Sequence, residues 1–271
     1  MENQVLLEMK QISKTFPGVK ALKNVHFKVH KGEVMAFMGE NGAGKSTLIK
    51  IITGYYRRDP GEGQFLFDGK EVNPRNTDEA QKLGISTIFQ ELNLSPYLSV
   101  AENIYIGNTP KKKGMIDWDT MNQNAKKALL DLGVDIDVTA QLSLQSTAIQ
   151  QMVSIARALA RNIKLLIMDE ATSSLDTGEV KVLFDVVRAL KSRGIATIFV
   201  THKMDEIYQV CDSATIFKDG EYVDCLPLDQ LPKLKLISLM IGRDASELVN
   251  KRKIYDPEKV KGEVICRVEG V

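Results

Sequence analysis

Apolar and polar positions alternate with period two through Val5–Ile12, and again where Val25, Phe27 and Val29 interleave with His26, Lys28 and His30. That rhythm predicts half-buried strands. It breaks at Val34–Met38, an apolar run followed by a glycine-rich turn and a helical stretch, Lys45–Thr53, which reads as strand, loop, helix. Gln64–Val72 predicts a hairpin around Asp68-Gly69, a favoured tight-turn pair. From about Glu91 to Arg161 the pattern is mostly helical, clearest over Met121–Leu132 and Ile149–Ala160. Strands and helices then alternate. Leu165–Asp169 is a buried-type strand, Glu179–Ser192 an amphipathic helix, Ile195–Val200 a strand, Lys203–Val210 a helix, and Ala214–Cys225 a hairpin at Asp219-Gly220. Such alternation predicts an α/β fold on a mainly parallel sheet, here with an antiparallel portion and a helical insertion.

The tail from about Ile241 reads as a linker, IGRDASELVNKRKIYDPEKVKG, followed by a strand-like EVICRVEGV. VICRVEGV echoes VLLEMKQI near the start, so a second copy of the domain is expected to begin at about Glu263. The predicted organisation is therefore a first part of the core with the antiparallel strands (1–90), a helical subdomain (91–161), the rest of the core (162–240), and a linker with the first strand of a truncated second domain (241–271).

With 271 residues, 44% hydrophobic and 26% charged, the chain is long enough to bury a core and too apolar for wholesale disorder. Its 36 basic and 35 acidic side chains nearly balance, which argues against a nucleic-acid partner. Lys111, Lys112 and Lys113 form the one basic cluster, and it reads as a solvated loop. Three cysteines without CxxC spacing suggest neither disulfides nor a zinc site, and fit a reducing compartment. MENQVLLEMK lacks the build of a signal peptide, and no apolar run approaches the roughly 20 residues of a membrane span. A soluble chain is expected, able to dock on a membrane partner.

The strongest chemical signal is GENGAGKS, Gly39 to Ser46, which fits GxxxxGK followed by Ser or Thr between a strand and a helix. Glycines let the backbone turn tightly enough to wrap its N–H groups around phosphate oxygens, and the next helix aims its N-terminus at the same anion. Gly39, Asn41, Gly42, Ala43, Gly44, Lys45, Ser46 and Thr47 are thus candidate nucleotide-phosphate-binding residues, Lys45 reaching the β- and γ-phosphates and the Ser46 hydroxyl ligating Mg²⁺. The second signal is the strand Leu165–Asp169 with Glu170 following. Asp169 at the end of a hydrophobic strand suits hydrated Mg²⁺, and Glu170 would orient an attacking water. Alone, such acids are simply a strand end; beside a phosphate loop they read as functional.

Taken with Gln90 in TIFQELNL, Ser174-Leu175-Asp176 and His202 in VTHKMDEI, these motifs resemble the nucleotide-binding subunit of an ABC transporter along nearly the whole chain. The resemblance implies a P-loop NTPase core of RecA-like type. It also implies that Gln90 helps ligate Mg²⁺, that Glu170 is the catalytic carboxylate, that His202 contacts the γ-phosphate, and that Asp176 faces a partner half. Phe16 in KTFPGVKAL would stack on adenine, although it reads equally well as a core aromatic; His26 and His30 read as surface strand residues.

TFPGVKAL, IDWDTMN, QQMVSIARAL and LIMDEATSSLD narrow the resemblance to the tandem ATPases of monosaccharide importers, in which a linker like IGRDASEL joins two ATPase halves. The implied partners are a second ATPase half, transmembrane permease subunits and, indirectly, a periplasmic or lipoprotein sugar-binding protein, at the cytoplasmic face of the membrane. A nucleoside or autoinducer importer is the alternative, with a non-transport ABC ATPase behind it. Where this family carries LSGGQ, the chain has Gln145, Ser146, Thr147, Ala148 and Ile149, and Ala171 stands where proline is usual. Ser146, Thr147 and Ala148 would face the partner half, with only the serine retained and side chains replacing two glycines. The expectation is an asymmetric pair of ATP sites, and a fragment that binds ATP yet hydrolyses it slowly by itself.

Overall fold

The computed structural model describes residues 4–61, 63–89 and 93–242. Gln90 lies outside them, as does the expected linker and second-copy strand beyond residue 242. The chain opens with a long hairpin, β1 (Val5–Phe16) and β2 (Val19–His30), turned at Pro17-Gly18. Next come β3 (Val34–Met38), α1 (Lys45–Ile52) and the short hairpin of β4 (Gln64–Phe67) and β5 (Lys70–Glu71). Helix α2 (Thr77–Leu83) and strand β6 (Ile85–Ile88) follow; the Asn76 side chain caps α2 by accepting from the Glu79 N–H at 2.9 Å, and Gly84 ends it in the left-handed region at φ 94°.

The helical part contains α3 (Val100–Tyr105), α4 (Trp118–Leu130) and α5 (Thr147–Leu159). Lys111 and Lys112 are not in a simple loop: they form β7 (Lys111–Lys112), paired with β8 (Met115–Ile116) across a turn at Lys113-Gly114, and they remain exposed. The alternation then resumes with β9 (Leu165–Asp169), α6 (Thr177–Ser192), β10 (Ala196–Val200), α7 (Met204–Val210), β11 (Ser213–Lys218), β12 (Glu221–Pro227) and α8 (Lys233–Ile241).

Two main sheets result. One is antiparallel, in the order β2-β1-β4-β5; the other runs β12-β11-β3-β10-β9-β6 and is parallel except for the β11–β12 pair. Every residue of β3 and β10 is buried, as a strand covered on both faces requires. On one face, Phe37 packs between Phe27 and Phe217, each ring centroid 4.9 Å from its own, and joins the parallel sheet to the antiparallel one. On the other face, α3, α5 and α6 close over Met38, Leu166, Met168 and Phe199. The order β3-β10-β9 sets three carboxyl ends side by side, which is where open α/β sheets bind ligands.

Asp68, in the β4–β5 turn, ties the sheets together at the opposite end. Its carboxylate pairs at 2.7 Å with Lys31, just before β3, and at 2.7 Å with Lys164, just before β9. Hydrogen bonds from Lys164 and Lys31 hold this carboxyl down at about 2, against an ordinary 3.8. A depressed folded-state value stabilises the fold above the unfolded value and loses that contribution as pH falls through the folded one. Asp68→Asn is therefore expected to lower the thermal midpoint at neutral pH and to flatten its decline between about pH 4 and pH 2, as measured by unfolding across that range. The pair is partly exposed, so the effect is modest. One expectation needs correcting nearby: His30 is not an unpartnered surface residue, because its Nδ1 lies 2.9 Å from Glu33 Oε2 and the ring is half-buried.

Candidate functional site

The phosphate-type loop leaves the carboxyl end of β3 and enters α1 through Gly44, whose φ of 97° only glycine adopts without strain. A Cβ there would stand 2.7 Å from Leu22 Cδ2 and 2.8 Å from the Ala21 carbonyl, so the close approach of β2 also demands glycine. Gly39 at the base of the loop is tighter still, with a Cβ position 2.3 Å from the Phe217 carbonyl. Gly44 offers no side-chain cap, so the first-turn N–H groups of α1 keep their capacity for an anion. Lys45 folds back over the loop. Its Nζ donates to the carbonyls of Gly39 at 2.6 Å and Glu40 at 2.9 Å. Burial pushes the Lys45 amine below its ordinary pKa, against the pull of Asp169 and Glu170.

From β9 come Asp169, its last residue, and Glu170, which turns away from the strand in the left-handed region at φ 52°. Its N–H is tied to the Val200 carbonyl at 2.9 Å, so β10 sets where the turn occurs. A non-glycine residue in this conformation carries about 1–3 kcal/mol of strain and recurs at functional sites. Burial, and then the charge on Glu170, hold the Asp169 carboxyl above the usual carboxylate range, with Lys45 and His202 pulling the other way. His202, two residues beyond β10, brings Nε2 to 2.5 Å from Glu170 Oε1.

These groups share one cleft of about 730 Å³, lined by Asn41, Gly42, Ala43, Gly44, Lys45, Ser46 and Thr47 from the loop, and by Asp169, Glu170 and His202. Phe16 reaches it from the tip of β1, half-buried, its ring edge-on to Tyr56 at 5.1 Å. Gly39 lies behind the loop and is not part of the lining. Ser46 and Asp169 suit a divalent cation. The serine hydroxyl is exposed on the cleft wall, and a cation would relieve the carboxyl raised by burial and by its neighbour.

Other predicted residues lie apart from the cleft. Ser146 is the N-cap of α5, accepting from the Ile149 N–H at 3.4 Å, and Thr147 and Ala148 begin the helix itself. Asp176 caps α6 in a reciprocal box, accepting from the N–H groups of Gly178 at 2.7 Å and Glu179 at 2.8 Å. The cleft also has a wall that the sequence reading missed: Val19, Lys20, and the Asp219-Gly220 turn. Gly220 donates to the Ala43 carbonyl at 3.3 Å and accepts from the Lys23 N–H at 2.8 Å, bracing the phosphate loop against β2. The hairpin was legible, but its packing against residue 43 was not.

The chain is similar to several known proteins. The chain is 46% identical over 243 residues to the galactofuranose transporter ATP-binding protein of Escherichia coli K12, covering 90% of this chain and 48% of that one. It is 43% identical over 268 residues to the galactose/methyl galactoside import ATP-binding protein of the same strain, covering 99% of this chain and 52% of that one. The chain thus spans about half the length of the curated relatives it matches. Among solved structures, the ADP conformation of MJ1267, an ATP-binding cassette of an ABC transporter, superposes with a TM-score of 0.76 at 26% identity, over 92% of this chain and 100% of that one. The dimeric post-hydrolysis state of the ATP-binding cassette MJ0796, bound to ADP and Pi, superposes with a TM-score of 0.69 at 27% identity, over 82% and 99%. The fold is accordingly that of a P-loop NTPase cassette. With the ABC transporter model matched across residues 22–173, the chain belongs to the ABC transporter family.

Proposed function

We propose that this chain binds ATP in the cleft and hydrolyses it to power import of a monosaccharide through a membrane permease. The observation that carries the reading is the meeting of the phosphate loop, Asp169–Glu170 and His202 at three adjacent strand ends. The relatives named for galactofuranose and galactose import support the substrate class. Among the described residues no helix is long and apolar enough to cross a membrane.

Lys45 exchanges its two loop carbonyls for β- and γ-phosphate oxygens when ATP arrives. Those oxygens also accept from the loop N–H groups and the uncapped first turn of α1. Phe16 supplies an aromatic face for the base at the mouth of the cleft. Glu170 accepts the proton of the attacking water, and His202, held against it, contacts the γ-phosphate. Ser46 and Asp169, with Gln90 on the family pattern, would hold Mg²⁺, which would supply charge compensation for the triphosphate.

The site is completed by a second ATPase half, which contributes a signature segment; this chain's own segment, Ser146, Thr147 and Ala148, faces that half in return. With Thr147 and Ala148 in place of glycines, the second composite site has looser contacts to phosphate. Asp176, anchored as a helix cap, lies at the same interface. Permease subunits and an external sugar-binding protein complete the assembly, and the chain works at the cytoplasmic face.

The reading is tested by reconstituting the full-length protein with its permease in vesicles. ATP hydrolysis stimulated by sugar-loaded binding protein, together with uptake of an aldose such as galactose, arabinose or ribose, is expected. Hydrolysis without uptake of any monosaccharide would overturn the substrate class, and absence of hydrolysis would overturn the ATPase.

A further inference from the structure

Behind the Glu170–His202 pair lies a carboxylate that the reaction does not use. Glu206, in the first turn of α7, is only 7% exposed, and its partners Thr172 and Thr201 are 1% and 5% exposed. Its Oε2 accepts from Thr172 Oγ1 at 2.7 Å and from Thr201 Oγ1 at 3.3 Å, while Oε1 pairs with Lys203 Nζ at 3.1 Å. The network closes on itself. Lys203 Nζ also donates to the Thr172 carbonyl at 3.0 Å, and Thr201 Oγ1 accepts from the Lys203 N–H at 3.1 Å. Thr172 stands two residues beyond Glu170, whereas Thr201 and Lys203 flank His202 on either side. One buried group therefore fastens together the two chain segments that present the reacting pair.

The pair itself is held weakly from outside. The His202 side chain is 57% exposed, so packing does little to fix it, and that of Glu170 is 30% exposed. Their 2.5 Å separation depends on where the backbone of two different strand ends is held; the Glu170 N–H joins them at the Val200 carbonyl, and the Glu206 network adds the side-chain link beyond that bond. We propose that Glu206 is a positioning residue, which sets the Glu170–His202 geometry by clasping Thr172 to Thr201 and Lys203. This rests on the reading of the cleft as the hydrolytic site. It requires no contact between Glu206 and ATP, and Glu206 is absent from the cleft lining.

A misplacement of about 1 Å in a reacting group costs on the order of 100-fold in rate, so loosening the clasp acts on turnover rather than on nucleotide binding. In the full-length protein assembled with its permease, Glu206→Ala is expected to lower kcat by roughly tenfold or more while KM for ATP stays within about twofold. Glu206→Gln, which keeps the shape and can still bond both hydroxyls, is expected to fall between the two. The decisive measurement is a double-mutant cycle with His202→Ala. If Glu206 acts through the pair, adding Glu206→Ala to His202→Ala costs at least about threefold less than adding it to the unmodified protein, whereas an unrelated structural role multiplies the two losses. Should Glu206→Ala fail to fold, Thr172→Val, which deletes one hydroxyl partner at nearly constant volume, serves in the same cycle with the same expectation. An unchanged kcat in the folded variants, or full multiplication in the cycle, would overturn the positioning role alone. If neither Glu170→Gln nor His202→Ala lowers turnover, the hydrolytic reading falls and the role of Glu206 with it.

Discussion

Glu170→Gln is expected to leave ATP bound and to reduce its hydrolysis by about 10²- to 10⁴-fold, the usual contribution of a positioned general base. The substitution changes little besides proton affinity. Glutamine has the same length, and the backbone that places residue 170 is fixed by the Val200 carbonyl rather than by the side chain. The phosphate contacts proposed for the loop and α1 lie on a different strand end and would be untouched. Equilibrium nucleotide binding and single-turnover hydrolysis on the full-length protein separate the two effects. Preserved turnover would remove Glu170 from its role.

Lys45→Ala should act on the other half of the problem. Truncating one member of a desolvated charge pair costs about 2–5 kcal/mol, so ATP affinity is expected to fall roughly 30-fold to several-thousand-fold. Burial makes this lysine more sensitive than a surface one, because its charge would meet the proposed phosphate where water screens little. The same side chain also satisfies the carbonyls of Gly39 and Glu40, so a loss of loop structure has to be separated from a loss of ligand contact. Thermal unfolding with and without ATP does this. The midpoint without nucleotide is expected to move little, and the rise that ATP causes in the unmodified protein is expected to vanish. A large fall in the nucleotide-free midpoint would mean that Lys45 matters chiefly to the loop itself.

Much of this architecture could be read from local pattern. Val34–Met38 is a fully apolar run before a glycine-rich turn, and it is a strand buried on both faces. Leu165–Asp169 and the hairpin at Asp219-Gly220 were equally plain, because a sequence of one face or one turn type specifies them. Thr77–Leu83 and Ile85–Ile88 escaped notice: a seven-residue helix and a four-residue strand are too short for periodicity to speak. The cap at Asn76, with Asp78 and Glu79 in the first turn, was the available signal. Within the site, motif residues on the loop, β9 and the segment after β10 were legible because each follows a strand end. The wall at Val19, Lys20 and Gly220 was not, and neither was the clasp at Glu206, 34 residues from Thr172. Both depend on which strand ends lie side by side, and that follows from the strand order rather than from any one segment.

Asp68 carries a mechanical consequence. It fastens the antiparallel sheet to the amino ends of β3 and β9, while the cleft lies at their carboxyl ends. Sliding one sheet past the other would strain these ion pairs, so they add a modest resistance to that motion at the end away from the cleft. Removing that carboxylate would loosen the two sheets against each other without altering any residue that lines the cleft.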